Sequence, residues 1–219
     1  MSIRLFQAVL FDMDGTLLDT LEDIAKSMNT VLARNGLPTH PVDRYRRFVG
    51  GGVEGLARGV LPDGLSDTDR IRELIEQMKA EYSRRWHDTT RLYPGVKQML
   101  DGLHERGIRL GILSNKPDQF TKMIYDYFLR PWNFELVLGA SGELPKKPDP
   151  TAALVIAKKM GIEPRQFIYL GDSDTDMKTA IAADMYPVGA LWGFRDAKEL
   201  QESGAKMLLR KPQDLLKLV

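Results

Sequence analysis

The chain contains no cysteine among its 219 residues. A disulfide framework and a thiolate metal site are therefore excluded, and a reducing cytoplasm, the expected location, is permitted. No charge of one sign predominates, since 31 Lys and Arg face 30 Asp and Glu. That balance argues against a protein whose affinity for nucleic acid comes from excess positive charge. Even the arginine-rich stretch 17–91 balances, with ten Arg and two Lys against twelve Asp and Glu. Long apolar runs are missing too. MSIRLFQAVLF is apolar for only a few residues before acids follow, which fits neither a cleavable signal nor a membrane span. His40, His87 and His104 lie near no motif and receive no catalytic role. A small molecule is the expected partner, with the chain a monomer or a homodimer.

What is present suffices for a core and a smaller accessory domain, at 43% hydrophobic residues. QAVLF, residues 7–11, is a short apolar run that ends at acids, the pattern of a buried strand. From Thr20 the period changes. Thr20 with Asp23 resembles a helix capping box, Asp19 joins Thr20 as a cap candidate, and Leu21, Ile24, Met28, Val31 and Leu32 recur at helical spacing. Helices are also predicted over Val53–Val60 and Asp69–Trp86, with no strand between. After Tyr93-Pro94-Gly95 strands and helices alternate: RLGILSN, FELVLG, FIYLGD and PVGALWG are separated by helices, the last of which starts from Asp176. Such alternation predicts βαβ units and a doubly wound, mostly parallel sheet of Rossmann-like α/β class. The expected division is a core of residues 1–16 and 92–219 interrupted by a helical insert, 17–91. Trp86, Trp132 and Trp192 fit core packing.

Three predicted strands end in polar residues. Asp12 and Asp14 follow QAVLF, Ser114 and Asn115 follow GIL, and Asp172, Ser173, Asp174 and Asp176 follow FIYLG. Ligands of open parallel sheets bind outside the carboxyl ends of the strands, so these groups are expected to converge. PKKPDP adds Lys147, held beside a proline. Several carboxylates without His or Cys favour a hard cation such as Mg2+. Mg2+ and Lys147 would attract a phosphoryl group, with Ser114 and backbone N–H groups of residues 12–15 bonding its oxygens. Gly15 allows the backbone to approach closely.

DMDGT, Ser114 after a strand, Lys147 in KKPDP, and GDSDTD together resemble, in order, the four motifs of the haloacid dehalogenase-like phosphohydrolases. The resemblance spans nearly the whole chain and implies that the helical insert is a cap. LLDT and the loop FVGGGVEGL look most like phosphoglycolate phosphatases and their relatives. The resemblance implies that Asp12 attacks phosphorus to form an aspartyl phosphate, and that Asp14 protonates the leaving oxygen and then activates water. It also implies Mg2+ on the Asp12 carboxylate, the Asp14 carbonyl and Asp172, with phosphate held by Ser114, Lys147, Gly15 and the Asn115 N–H. Thr16 and Asp176 would support these, Asp176 through water or by orienting Lys147. Lys146 is the alternative to Lys147.

Departures from sister activities narrow the choice. Dehalogenases of the family lack an acid where Asp14 stands, phosphonate hydrolases need a cap lysine absent between Lys26 and Lys79, and phosphomutases carry a histidine where this chain has Ile24. Gly50, Gly51 and Gly52 would form a nest of N–H groups for the substrate's anionic leaving group, with Arg46 and Arg47 for a carboxylate. The expected substrate is a small anionic phosphate ester, 2-phosphoglycolate first. A pyrophosphatase or nucleotide phosphatase on the same machinery is the alternative, and a non-catalytic phosphoryl-binding regulator the reading of a different class.

Overall fold

The apolar run that ends at Asp12 forms strand β1 (Ala8–Phe11), fully buried in the computed structural model, which describes residues 5–62, 64 and 67–219. Residues 1–4, the start of the apolar N-terminal stretch and of the expected core, lie outside the described residues, as do 63, 65 and 66 of the expected insert. A short strand β2 (Leu18–Asp19) leads into helices α1 (Leu21–Arg34), α2 (Tyr45–Phe48), α3 (Gly52–Val60) and α4 (Thr68–Arg85). The chain returns through β3 (Arg91–Leu92), which pairs with β2 in a two-stranded sheet. No strand was expected in this stretch, because two residues are too few to show an alternation. Then follow α5 (Val96–Glu105), β4 (Arg109–Pro117), α6 (Asp118–Ile124), β5 (Phe134–Ala140) and α7 (Thr151–Met160). The last elements are β6 (Phe167–Gly171), α8 (Asp174–Ala182), β7 (Tyr186–Ala190), α9 (Ala197–Glu202) and β8 (Met207–Leu209).

Six strands form one sheet in the order β5-β4-β1-β6-β7-β8, and every pair is parallel. This is the doubly wound α/β architecture that the alternation predicts, with β8 as a sixth strand too short to be foreseen. β1 lies at the centre, Phe11 being paired with Ile112 on one side and Leu170 on the other. The order of the strands reverses at β1, so connections diverge there and leave a crevice beyond its carboxyl end. Against the sheet, Ala153, Ile156 and Ala157 of α7 join Leu10, Phe167 and Tyr169 in one buried cluster. Each large aliphatic or aromatic side chain buried this way contributes about 1.5–3 kcal/mol relative to exposure.

The chain divides into two compact units, residues 1–18 with 92–219, and residues 19–91. In the second, α1 buries Leu21, Ile24, Met28, Val31 and Leu32, the stripe its period predicts. Its start corrects an expectation, since the Thr20 side chain makes no cap hydrogen bond. Asp23 turns instead to the other end of the unit. Its carboxylate accepts from the N–H and hydroxyl of both Thr89 and Thr90, at 2.6–3.0 Å. Asp19 likewise does not cap but pairs with Arg91 at 3.2 Å. Long-range partners that offer several donors outweigh a single local one. Among the described residues no helix is long and apolar enough to cross a membrane.

Candidate active site

Beyond Phe11 the chain cannot continue as a plain strand. The Met13 carbonyl accepts from the N–H groups of Thr16, Leu17 and Leu18, and Gly15 takes a positive φ of 90°. The N–H of Gly15 donates to the Leu18 carbonyl within the turn. A Cβ there would lie 2.2 Å from Asp172 Oδ2. This tight turn places Asp12, 7% exposed, at the centre of the crevice.

Lys147 meets Asp12 from the loop before α7. Its Nζ donates to Asp12 Oδ1 and to Asp176 Oδ1, both at 2.7 Å. The loop is held by Asn115, whose Nδ2 donates to the Lys147 carbonyl at 3.0 Å while its Oδ1 accepts from the Lys147 N–H at 2.9 Å. Asn115 therefore acts here through its side-chain amide. Lys146 is exposed, and Lys147 is the buried member of the pair. Asp176 is in turn fixed by the Ser173 N–H and hydroxyl, at 3.0 and 2.6 Å, in a capping box at the start of α8. That helix begins at Asp174, with Ser173 as its cap.

Asp172 is buried against the other side of the turn. Thr16 Oγ1 donates to its Oδ1 at 3.4 Å, and the Phe194 N–H donates to its Oδ2 at 2.6 Å. The loop after β7, expected from the sequence as the end of the strand PVGALWG, thus belongs to the site. A Cβ on Gly193 would come within 2.3 Å of the Asp172 Cβ. Trp192 secures the same loop, its Nε1 donating to the Thr16 carbonyl at 2.9 Å. Ser114, in the last part of β4, is 3% exposed. Two residues on, Lys116 reaches Asp14, a contact that the motifs did not announce.

The electrostatics follow from burial. Burial, reinforced by Asp176 and Asp14, pushes Asp12 from 3.8 up to about 7 although Lys147 pulls it down. Burial also raises Asp172 well above the ordinary range, with Asp12 and Asp176 adding to it. For Lys147 burial favours the neutral amine, yet the Asp12 and Asp176 carboxylates prevail and hold its pKa well above the usual value. Four carboxylates here, Asp12, Asp14, Asp172 and Asp176, face two ammonium groups, Lys116 and Lys147. Arg195 adds a further positive charge that acts on Asp172, and a divalent cation would relieve the repulsion that remains among the acids. Oxygens of Asp12, Asp172 and Asp176 lie within 4.8 Å of one another, and an all-oxygen set suits Mg2+. Each of the three also has partners within the chain, Asp176 accepting from Lys147 and Ser173, Asp172 from Thr16 and Phe194, and Asp12 from Lys147.

The remaining candidates belong to the helical unit. Gly50, Gly51 and Gly52 form the turn into α3, with φ of 124° at Gly50 and 74° at Gly52. Arg47 is exposed on α2, and Arg46 pairs with Asp43 at 2.9 Å.

A family model described as haloacid dehalogenase-like hydrolase matches residues 9–190. The chain therefore belongs to the haloacid dehalogenase-like hydrolase family. It is 32% identical to the phosphoglycolate phosphatase of Aquifex aeolicus over 213 residues, covering 97% of this chain and 96% of that protein. It is also 32% identical to the phosphoglycolate phosphatase of Pseudomonas savastanoi pv. phaseolicola, covering 99% of this chain and 79% of that one. The crystal structure of a predicted phosphoglycolate phosphatase from Haemophilus somnus superimposes with a TM-score of 0.91 at 26% identity, covering 99% of both chains. Within its family this chain is a phosphatase, phosphoglycolate phosphatase-like.

Proposed function

We propose that the chain is a Mg2+-dependent phosphomonoester hydrolase that works through an aspartyl phosphate on Asp12, with 2-phosphoglycolate as its first substrate. The observation that carries this reading is the setting of Asp12. It is a buried carboxylate 2.7 Å from the Lys147 ammonium, in a cluster with Asp172 and two residues before Asp14. Lys147 and the Ser114 hydroxyl hold the phosphoryl group against Asp12. An Asp12 oxygen bonds to phosphorus as the ester P–O bond breaks, and Asp14 gives its proton to the departing oxygen. Asp14 then takes a proton from the water that attacks phosphorus, and Asp12 is released with inorganic phosphate. The Asp12 and Asp172 carboxylates and the Asp14 carbonyl would hold Mg2+, whose charge offsets that of the phosphoryl oxygens. The names of the relatives favour 2-phosphoglycolate within the class of small anionic esters.

The test is phosphate release with Mg2+ from 2-phosphoglycolate, pyrophosphate and nucleoside monophosphates, for the parent and for Asp12→Asn. The parent should show its highest kcat/KM on 2-phosphoglycolate, and Asp12→Asn should keep its circular dichroism spectrum and release none. Activity of Asp12→Asn within about tenfold of the parent would remove the nucleophile assignment. A preference for pyrophosphate or nucleotides would replace the substrate and leave the chemistry standing.

A further inference from the structure

β4 carries a second lysine into the site. Asn115 bonds the Lys147 loop through its side-chain amide, while the next residue, Lys116, reaches Asp14. The Lys116 ammonium sits astride the Asp14 carboxylate, 3.0 Å from Oδ1 and 3.2 Å from Oδ2. Both are largely shielded from solvent, with side chains 6% and 11% exposed. The backbone of Lys116 is pinned as well. Its N–H donates to Ser114 Oγ at 3.2 Å, its carbonyl accepts from Thr121 Oγ1 at 3.2 Å, and Pro117 confines it to extended conformations. A surface lysine on a flexible stem has no such framework.

We propose that Lys116 is the positioning residue for Asp14. By spanning both oxygens it sets the orientation from which Asp14 exchanges protons, while Lys147 does the corresponding work for Asp12. The inference rests on the reading of Asp14 as acid and base given above. In the first step the electron pair of the breaking ester bond stays on the leaving oxygen, which takes the Asp14 proton. In the second, water bonds to phosphorus, its proton passes to Asp14, and the acyl-phosphate electrons return to Asp12. An alkoxide cannot leave well without that proton, whereas nitrophenolate can. Disorienting Asp14 therefore slows the first step for alkyl esters alone and the second step for every ester.

The experiment follows the full chain with Mg2+ by rapid mixing, on p-nitrophenyl phosphate and 2-phosphoglycolate. The variants are Lys116→Met, Lys116→Arg, Asp14→Asn, and the double variant of Lys116→Met with Asp14→Asn. Lys116→Met should release one nitrophenolate per enzyme in a burst, followed by a steady state about 100-fold below the parent. Its 2-phosphoglycolate turnover should fall at least as far without a burst, and Lys116→Arg should recover most of both. Adding Lys116→Met to Asp14→Asn should cost less than about threefold more, because the lysine acts through the acid. Losses that multiply in the double variant, a burst lost together with the steady state, or parental turnover of 2-phosphoglycolate would each overturn the proposal. If Lys116→Met does not fold, Lys116→Gln gives the same comparisons. A parent that releases no phosphate from either ester would bring down the underlying reading instead, which separates the two failures.

Discussion

Asn115 and Lys147 exchange two hydrogen bonds, of 3.0 and 2.9 Å, between one side-chain amide and one backbone residue 32 positions away. The amide imitates a strand neighbour and hooks the lysine loop to the end of β4. It fixes the backbone from which Lys147 reaches Asp12. Asn115→Ala removes both bonds and leaves two buried backbone groups without this partner, at a cost of about 2 kcal/mol. The urea midpoint should fall accordingly, and kcat/KM should drop by at least about tenfold as Lys147 loses its register. A midpoint and a rate equal to the parent's would show that the loop is held by other means.

Mg2+ should stabilise the folded chain as well as activate it. At a hundred times its dissociation constant a ligand of the native state adds about 2.7 kcal/mol, visible as a rise in Tm. Asp172→Asn should abolish that rise while retaining the fold. Excess EDTA should stop phosphate release, and added Mg2+ should restore it. Turnover undiminished in EDTA would exclude the cation, and an unchanged Tm response in Asp172→Asn would move it off Asp172.

Gly15→Ala tests the close approach at the first turn. The new Cβ would meet Asp172 Oδ2 at 2.2 Å, on a backbone with φ of 90° that an L side chain adopts at a cost of about 1–3 kcal/mol. Loss of activity together with a lower Tm is expected. A variant with parental Tm would mean that the turn relaxes without strain.

Acid should loosen the helical unit through Asp23. Burial alone would raise its pKa, but the hydrogen bonds from Thr89 and Thr90 outweigh burial and hold it below the ordinary 3.8. A group depressed in the folded state contributes stability above its unfolded pKa, and this is lost as pH falls through the folded value. Asp23→Asn should therefore cost about 2–3 kcal/mol at pH 7 and flatten the decline of stability below roughly pH 4. Urea titrations followed by circular dichroism at pH 7 and pH 3 measure both, and a parallel acid decline in the variant would place the proton elsewhere.

Much of this is legible in the sequence. The apolar runs around Val9, Ile112 and Ile168 are long enough to declare buried strands, and polar residues at their ends declare a crevice once the sheet is parallel. Short elements escaped for the same reason. β2, β3 and β8 have two or three residues each, below the length at which a period exists. Lys116 escaped because its neighbours in sequence, Asn115 and Pro117, say nothing about Asp14, its neighbour in space.

The order of the motifs, the class of fold and the acids after β1 are properties of the sequence alone, because period and residue type act locally. Partner choice is a different kind of quantity. Only the folded chain decides that Lys147 and not Lys146 faces Asp12, that Asp23 leaves Thr20 for Thr89 and Thr90, and that Lys116 takes Asp14. Each of these pairings joins groups far apart in sequence, and packing brings them into a buried place where an unpaired charge would cost the most.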